Sequence, residues 1–336
     1  MKKVFHLLFV ALIGMLLLVA CGDDEDNGGG DEGAAEGETF HIGATQIVQH
    51  PSLDRAYEGF QDALEDAGLN VEYDFQDAQN DPNNVKPISD AFVADDVDLI
   101  FTNSTPSTQG AYEATKDIPI VFTSVTDAVG AGVIESLENP DTNVTGVQDL
   151  HPGAIDATVE FIDQYFEGAS VGLIYNAGEP NSVAQIEAVE SAAEGTSLTL
   201  HERTVANASE VQQAATTLVS DIDVFFIVTD NTVVEALDSV IGVANNNEIP
   251  LIAGEPDSVA KGGFATFGID YYTIGYRSGE MAADILTGEK DIGEIPAEHP
   301  PEIQLFINEE AAELQAVEWH DDWDDEAQFI EPEEEE

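Results

Sequence analysis

VDLIFTNSTPSTQGAYEATKDIPIVFTSVTD, residues 97–127, holds the plan of the whole chain. An apolar run ends in the polar turn TNST, a helix-forming stretch follows, and Ile118-Pro119 opens a second apolar run that ends in TSVTD. Residues 222–257, IDVFFIVTDNTVVEALDSVIGVANNNEIPLIAGEPD, repeat that order, with Ile249-Pro250 opening the second run. Apolar strands alternating with amphipathic helices predict an α/β fold of parallel sheets covered on both faces. Right-handed crossovers then bring the polar turns to one rim of each sheet.

Each block has a matching start upstream. FHIGATQI (40–47) reads as a strand, SLDRAYEGFQDALEDAG (52–68) as a helix with Leu53, Tyr57, Phe60 and Leu64 on one side, and VEYDFQDA (71–78) as the next strand. Gly68 suits the helix end. VGLIY (171–175), a helix-forming stretch to Gly195 and LTLHERTV (198–205) repeat the arrangement. Two similar lobes follow, facing each other across a cleft. NVTGVQDLHP (143–152) is the first crossing candidate, and FATFGIDYYTIGYRSGEMAADILTG (264–288) returns as strand, turn and helix. The division read from this pattern is a first lobe of 40–147 plus 268–290 and a second of 148–267 plus 291–319, with 320–336 as a peripheral acidic tail.

The beginning of the chain has another character. Lys2 and Lys3 precede an apolar run from Val4 to Ala20, and the only cysteine, Cys21, follows. LVAC resembles a bacterial lipobox, which implies a signal peptide over 1–20 and lipidation of Cys21. Residues 21–39 are rich in glycine and acid and read as a flexible, self-repelling tether. The alternative is an uncleaved anchor, and both place the remainder outside the cytoplasm.

Composition excludes some partners. There are 68 Asp plus Glu against 9 Lys plus Arg, a formal charge of −59. No basic stripe is present to meet phosphate, so a nucleic-acid partner is disfavoured. The charge points to a high-salt exterior, because repulsion becomes local when the Debye length falls to about 3 Å near 1 M salt. No Walker A or close metal-ligand spacing occurs in the chain. The reading is therefore a binding protein, not an enzyme, with no cofactor and no metal.

The candidate ligand residues lie on paired turns. Thr45, Gln46 and His50 in the first lobe correspond to Asn176, Glu179, Asn181 and Ser182 in the second; Ser104 and Thr105 face Asp230 and Asn231; Thr126 and Asp127 face Glu255 and Asp257. Hydroxyls, amides and free N–H groups at helix starts suit a carboxylate, and an acid such as Asp230 suits an ammonium. Ser52, Ser104 and Ser182 serve equally as helix caps. Asp270, Tyr271 and Tyr272 stand near a crossing strand, where a tyrosine ring suits either an aromatic ligand or hinge packing.

The ordered set HIGATQIVQHPSLD, DLIFTNSTPSTQ, KDIPIVFTSVTDAVGAG, NVTGV, GLIYNAGEPNS, TDNTVV, IPLIAGEPDSV and GIDYYTIGY resembles the ABC transporter substrate-binding protein family, including its TrpX-like aromatic amino-acid binders. The resemblance spans residues 40 to about 312. It implies two Rossmann-like lobes of the type I periplasmic-binding-protein fold, and delivery of a small solute to an ABC permease powered by a separate ATPase. The family's cleft positions fall on Thr45 and Gln46, on Ser104 and Thr105, on Thr126 and Asp127, and on Asn176, Asn181, Asp230, Asn231, Glu255 and Asp257. It also implies closure around tryptophan, tyrosine or phenylalanine on the outer face of the cytoplasmic membrane, held there through the lipid on Cys21. A branched aliphatic amino acid, another small solute, or a ligand-sensing receptor lipoprotein are the alternatives.

The charge yields the first test. On transfer from about 1 M salt to dilute buffer the protein should expand, as read by small-angle scattering, because the Debye length grows past the spacing of its acids. An unchanged radius would remove the inference of a high-salt exterior.

Overall fold

The apolar runs become two sheets. The computed structural model describes residues 39–140 and 142–332; Cys21, the leader and nearly all of the tether fall outside them. The first lobe runs β1 (Thr39–Gln46), α1 (Pro51–Asp66), β2 (Asn70–Asp77), α2 (Pro82–Ala94), β3 (Leu99–Asn103), α3 (Thr105–Ala114), β4 (Ile120–Val125) and β5 (Val144–Gln148). Its strands lie in the order β2-β1-β3-β4-β5, and all pairs are parallel.

The second lobe contains α4 (Ala154–Tyr165), β6 (Ser170–Tyr175), α5 (Pro180–Ala193), β7 (Thr199–Thr204), α6 (Val211–Leu218), β8 (Val224–Ile227), α7 (Asn231–Glu235), α8 (Leu237–Asn247), β9 (Leu251–Ala253), α9 (Pro256–Lys261) and β10 (Ala265–Gly268). After α10 (Tyr271–Leu286) come β11 (Gln304–Ile307), α11 (Glu309–Leu314), α12 (Trp323–Glu326) and β12 (Gln328–Phe329). The sheet order is β12-β11-β10-β9-β8-β6-β7, with β10 and β11 antiparallel.

Strand burial follows from the apolar runs. β3, β4, β5, β8 and β9 are buried along their whole length, while the outer strands β2 and β7 are largely half-buried or exposed. Phe101, Phe122, Phe225 and Phe226 are core residues, as their place in those runs predicts. Among the described residues no helix is long and apolar enough to cross a membrane.

α10 leaves the second sheet and packs on α1 of the first lobe. Leu53, Ala56, Phe60, Ala63 and Leu64 form the buried stripe of α1. Glycine lets the two helix backbones approach: a Cβ on Gly275 would lie 1.9 Å from the Ala56 carbonyl oxygen, and one on Gly59 would lie 2.3 Å from that of Tyr272. Behind this seam the Phe60 and Phe101 rings stack with centroids 4.0 Å apart.

NVTGV lies in β5, a full member of the first sheet, and the chain leaves for the second lobe after Gln148. Two parts of the expected division need correction. The stretch after α10 does not pass at once to the second lobe. Ile295 and Ala297 are buried in first-lobe core, the Ile295 carbonyl accepts the Thr145 hydroxyl at 2.9 Å, and the Gln148 N–H donates to the Glu298 carbonyl at 2.8 Å. This segment covers the open edge of β5, whose N–H and C=O groups would otherwise lack partners. The expected tail is also no mere tail, because Trp323 is fully buried against Phe161, Tyr165 and Phe264, and β12 pairs with β11. An aromatic pair, Trp319 and Trp323, was the signal that the surrounding acids concealed.

The helix seam predicts a contrast between two glycines. Gly275→Ala should destabilise the protein by about 1–3 kcal/mol, since a backbone carbonyl must move. Gly242→Ala in α8, where an added Cβ meets nothing, should stabilise by about 0.5–1 kcal/mol. Chemical unfolding at high salt measures both. Equal stability of Gly275→Ala and the natural protein would show that the seam is looser than described.

Candidate functional site

The carboxyl ends of the two sheets meet around a pocket of about 460 Å³, counting its mouth. The first lobe contributes Val48, His50, Ser52 and Leu53 from the loop after β1 and the start of α1, Ser104 and Thr105 at the start of α3, and Ser124 and Thr126 at the end of β4. The second contributes Asn181 of α5, Thr229, Asp230, Asn231 and Val234 around α7, and Glu255 at α9. Asp149 and Tyr271 come from the crossing segments after β5 and β10. Two of the hydroxyl residues sit on unusual backbone, Ser104 at φ 129° and Ser124 at φ 56°. Such conformations cost side-chain-bearing residues energy and cluster at binding sites, where they aim groups that relaxed backbone would not.

The acids of the second lobe are held by helix starts. Glu179 accepts the N–H and hydroxyl of Thr232 at 3.1 and 2.7 Å on one oxygen, and the N–H and side-chain amide of Asn231 at 3.1 and 2.6 Å on the other. Asp230 is wholly buried and accepts the Asn176 N–H at 2.6 Å and the Val233 N–H at 2.8 Å. Burial, followed by the nearby charge of Glu179, pushes the Asp230 carboxyl up to about 6. Each of its oxygens accepts one main-chain N–H, so Asp230 ties the loop after β6 to α7 while lining the pocket.

Glu255 works in the same way and also reaches across the gap. It accepts the Asp257 and Ser258 N–H groups at 2.7 and 2.8 Å, the Ser258 hydroxyl, and the Ser52 hydroxyl of the first lobe at 2.6 Å. Ser52 also meets the Asp257 carboxylate. A hydroxyl has one proton to give, so one of these two carboxyls approaches in its protonated form. Burial and then Glu255 raise the Asp257 carboxyl, which favours that form. A second clasp joins Asn80 to Glu235 at 2.6 Å.

Asp149 differs from the other lining acids. One oxygen accepts the Tyr271 hydroxyl at 3.3 Å; the other is buried with no partner at full hydrogen-bonding geometry, although the Thr126 hydroxyl stands close enough to the carboxyl to oppose the effect of burial. Burial raises its carboxyl to about 6, and burial together with Asp149 drives the Tyr271 phenol well above its ordinary value. His50 Nε2, Ser124 Oγ and Asn181 Oδ1, also on lining residues, are buried and unpartnered as well.

Of the expected residues, His50, Ser52, Ser104, Thr105, Thr126, Asn181, Asp230, Asn231, Glu255 and Tyr271 converge on the pocket. Others do not line it. Thr45 is buried within β1; Gln46 is turned to a neighbouring groove, where it donates to Asp54 at 2.9 Å. Asp127 accepts the Gly130 N–H at 2.8 Å in its own turn. The Asn176 side chain bonds Thr232 and Gly178. Asp257 stands behind Ser52, and half-exposed Asp270 caps α10 and lies 3.5 Å from Arg55. Asp149 lies on the segment that the sequence marks only as a crossing, and its one local signal is an acid directly after a buried strand. Val48, Leu53, Ser124, Thr229 and Val234 carried no distinguishing signal beyond their place in the turns. No cluster able to hold a metal ion occurs among the described residues.

Residues 41–328 match the family described as ABC transporter substrate binding protein. The chain is 41% identical over 316 residues to the tyrosine-binding protein of Clostridioides difficile strain R20291, covering 92% of this chain and 91% of that one. It superposes with a TM-score of 0.83 and 30% identity on the ABC domain from Streptococcus pneumonia in complex with L-Trp, over 87% of this chain and all of that one. Against the ligand-free, open structure of a substrate binding protein with adhesive properties from Clostridium difficile the identity is 37% but the TM-score is 0.66, over 88% of this chain and all of that one. Higher identity with a poorer superposition means that the lobes stand in a different relation from the open form, in keeping with the Ser52 and Asn80 clasps. The architecture is the type I periplasmic-binding-protein fold. The chain belongs to the ABC transporter substrate-binding protein family, whose members bind a solute and are not enzymes.

Proposed function

We propose that the protein captures an aromatic amino acid, tryptophan, tyrosine or phenylalanine, by closing its two lobes around it. The observation that carries this reading is the unpartnered oxygen of Asp149 in a pocket that also holds a wall of hydroxyls. An α-ammonium supplies donors to Asp149 Oδ1 and Asn181 Oδ1, and an α-carboxylate accepts from Ser104, Thr105, Ser124 and Thr126 beside the start of α3. Val48, Leu53, Val234 and the ring of Tyr271 are the apolar surface left for a side chain. The tyrosine-binding relative and the L-Trp complex support the same ligand class.

Import is part of the proposal: the closed form is the one an ABC permease distinguishes from the open form, and a separate ATPase supplies the energy. Cys21 is the proposed lipid attachment point, with the acidic tether spacing the lobes from the membrane. The acid-rich composition is read as adaptation to a salty exterior.

Mass spectrometry of small molecules released from the purified protein, followed by calorimetric titration at high salt, tests the ligand. Saturable binding of an aromatic amino acid is expected; binding only of a branched aliphatic amino acid or another solute would overturn the assignment. Asp149→Asn should weaken binding by roughly 10- to 100-fold, the effect of losing a charge-assisted hydrogen bond. Because the ammonium needs the ionised carboxylate, affinity governed by Asp149 falls as pH drops through about 6. Asp149→Asn should remove that part of the pH dependence, and an identical profile in both proteins would take Asp149 out of ammonium recognition.

A further inference from the structure

His50 is only 6% exposed and caps α1, where its Nδ1 accepts the Ser52 N–H at 3.3 Å. An imidazole nitrogen that accepts an N–H bears no proton, so the proton of the neutral ring is on Nε2. That Nε2 is buried without a hydrogen-bond partner, and Glu255 Oε1 stands 3.9 Å away, beyond hydrogen-bonding reach. A buried donor left unmet is costly, which makes it selective for a ligand that supplies an acceptor.

Its surroundings decide what kind of acceptor. Glu255 is buried beside Nε2, and half-buried Asp257 shares Ser52 with Glu255, so a second carboxylate brought here would be repelled. An ammonium has no lone pair for an N–H donor. What remains is a neutral oxygen. Among the aromatic amino acids only tyrosine carries one on its ring: the indole of tryptophan offers a donor alone, and the phenylalanine ring offers neither. We infer that His50 is a specificity-determining residue of the pocket, its Nε2–H donating to a phenol oxygen and so favouring tyrosine over phenylalanine and tryptophan.

This inference rests on the aromatic amino-acid reading and is tested beside it. Affinities for L-tyrosine, L-phenylalanine and L-tryptophan are measured by calorimetry at high salt for the natural protein and for His50→Asn. Asparagine keeps the helix cap through its carbonyl oxygen but its amide is too short to reach the Nε2 position. The natural protein should prefer tyrosine to phenylalanine by about tenfold, and in His50→Asn that ratio should fall toward one. Equal affinities in the natural protein, or losses in the variant that leave the ratio intact, would reduce His50 to a helix cap. If the natural protein binds none of the three, the aromatic reading fails at that first measurement and the His50 assignment fails with it.

Discussion

A serine hydroxyl between two carboxylates holds the lobes together, in a chain whose acids outnumber its bases by 68 to 9. Bringing two such lobes into contact crowds like charges in a gap with few cations to separate them. The solution is backbone. Glu179, Asp230 and Glu255 each accept two main-chain N–H groups at or near a helix start, so their charge is met by dipoles that folding fixes in place. Lysine and arginine ion pairs do not serve the pocket, because those of Arg55, Lys86, Arg277 and Lys290 involve none of its lining residues. Acid can therefore enter the cleft without drawing on the nine basic residues.

The same device explains which parts of the site were legible in the sequence. Ser104, Thr105, Thr126, Asp230 and Glu255 follow apolar strands directly, so topology alone puts them at the carboxyl rim, and that is where they stand. Sequence could not say which acids would be consumed by helix starts. Asp230 looked like a free charge but has donors on both oxygens, whereas Asp149 was overlooked and keeps one oxygen open. The difference depends on the approach of the Asn176 backbone from 54 residues away, a relation that no local pattern records.

The fold was legible for a similar reason, and failed to be so at its seams. Buried parallel strands leave long apolar runs, which announced both sheets. Residues 295–299 carry only two apolar anchors, Ile295 and Ala297, among Pro, Glu and His, and their place against β5 is decided by an exposed strand edge in need of hydrogen bonds. Trp323 was hidden by the acids on either side, although its burial against Phe161, Tyr165 and Phe264 makes residues after His320 part of the second-lobe core.

The crossings contribute to the site as the lobes do. Asp149 follows β5 and Tyr271 follows β10, so the bond between them joins two of the connections between the lobes. The open carboxylate oxygen thus belongs to a crossing, while the hydroxyl wall of Ser104, Thr105, Ser124 and Thr126 belongs to the first lobe. Asn181 and Val234 reach the pocket from the far lobe, as does the contact of Glu255 with Ser52. A ligand shifts an equilibrium toward a closed form only through contacts it gains there, so under the proposed function the second-lobe contacts, not the first-lobe hydroxyls, are the ones that would drive closure.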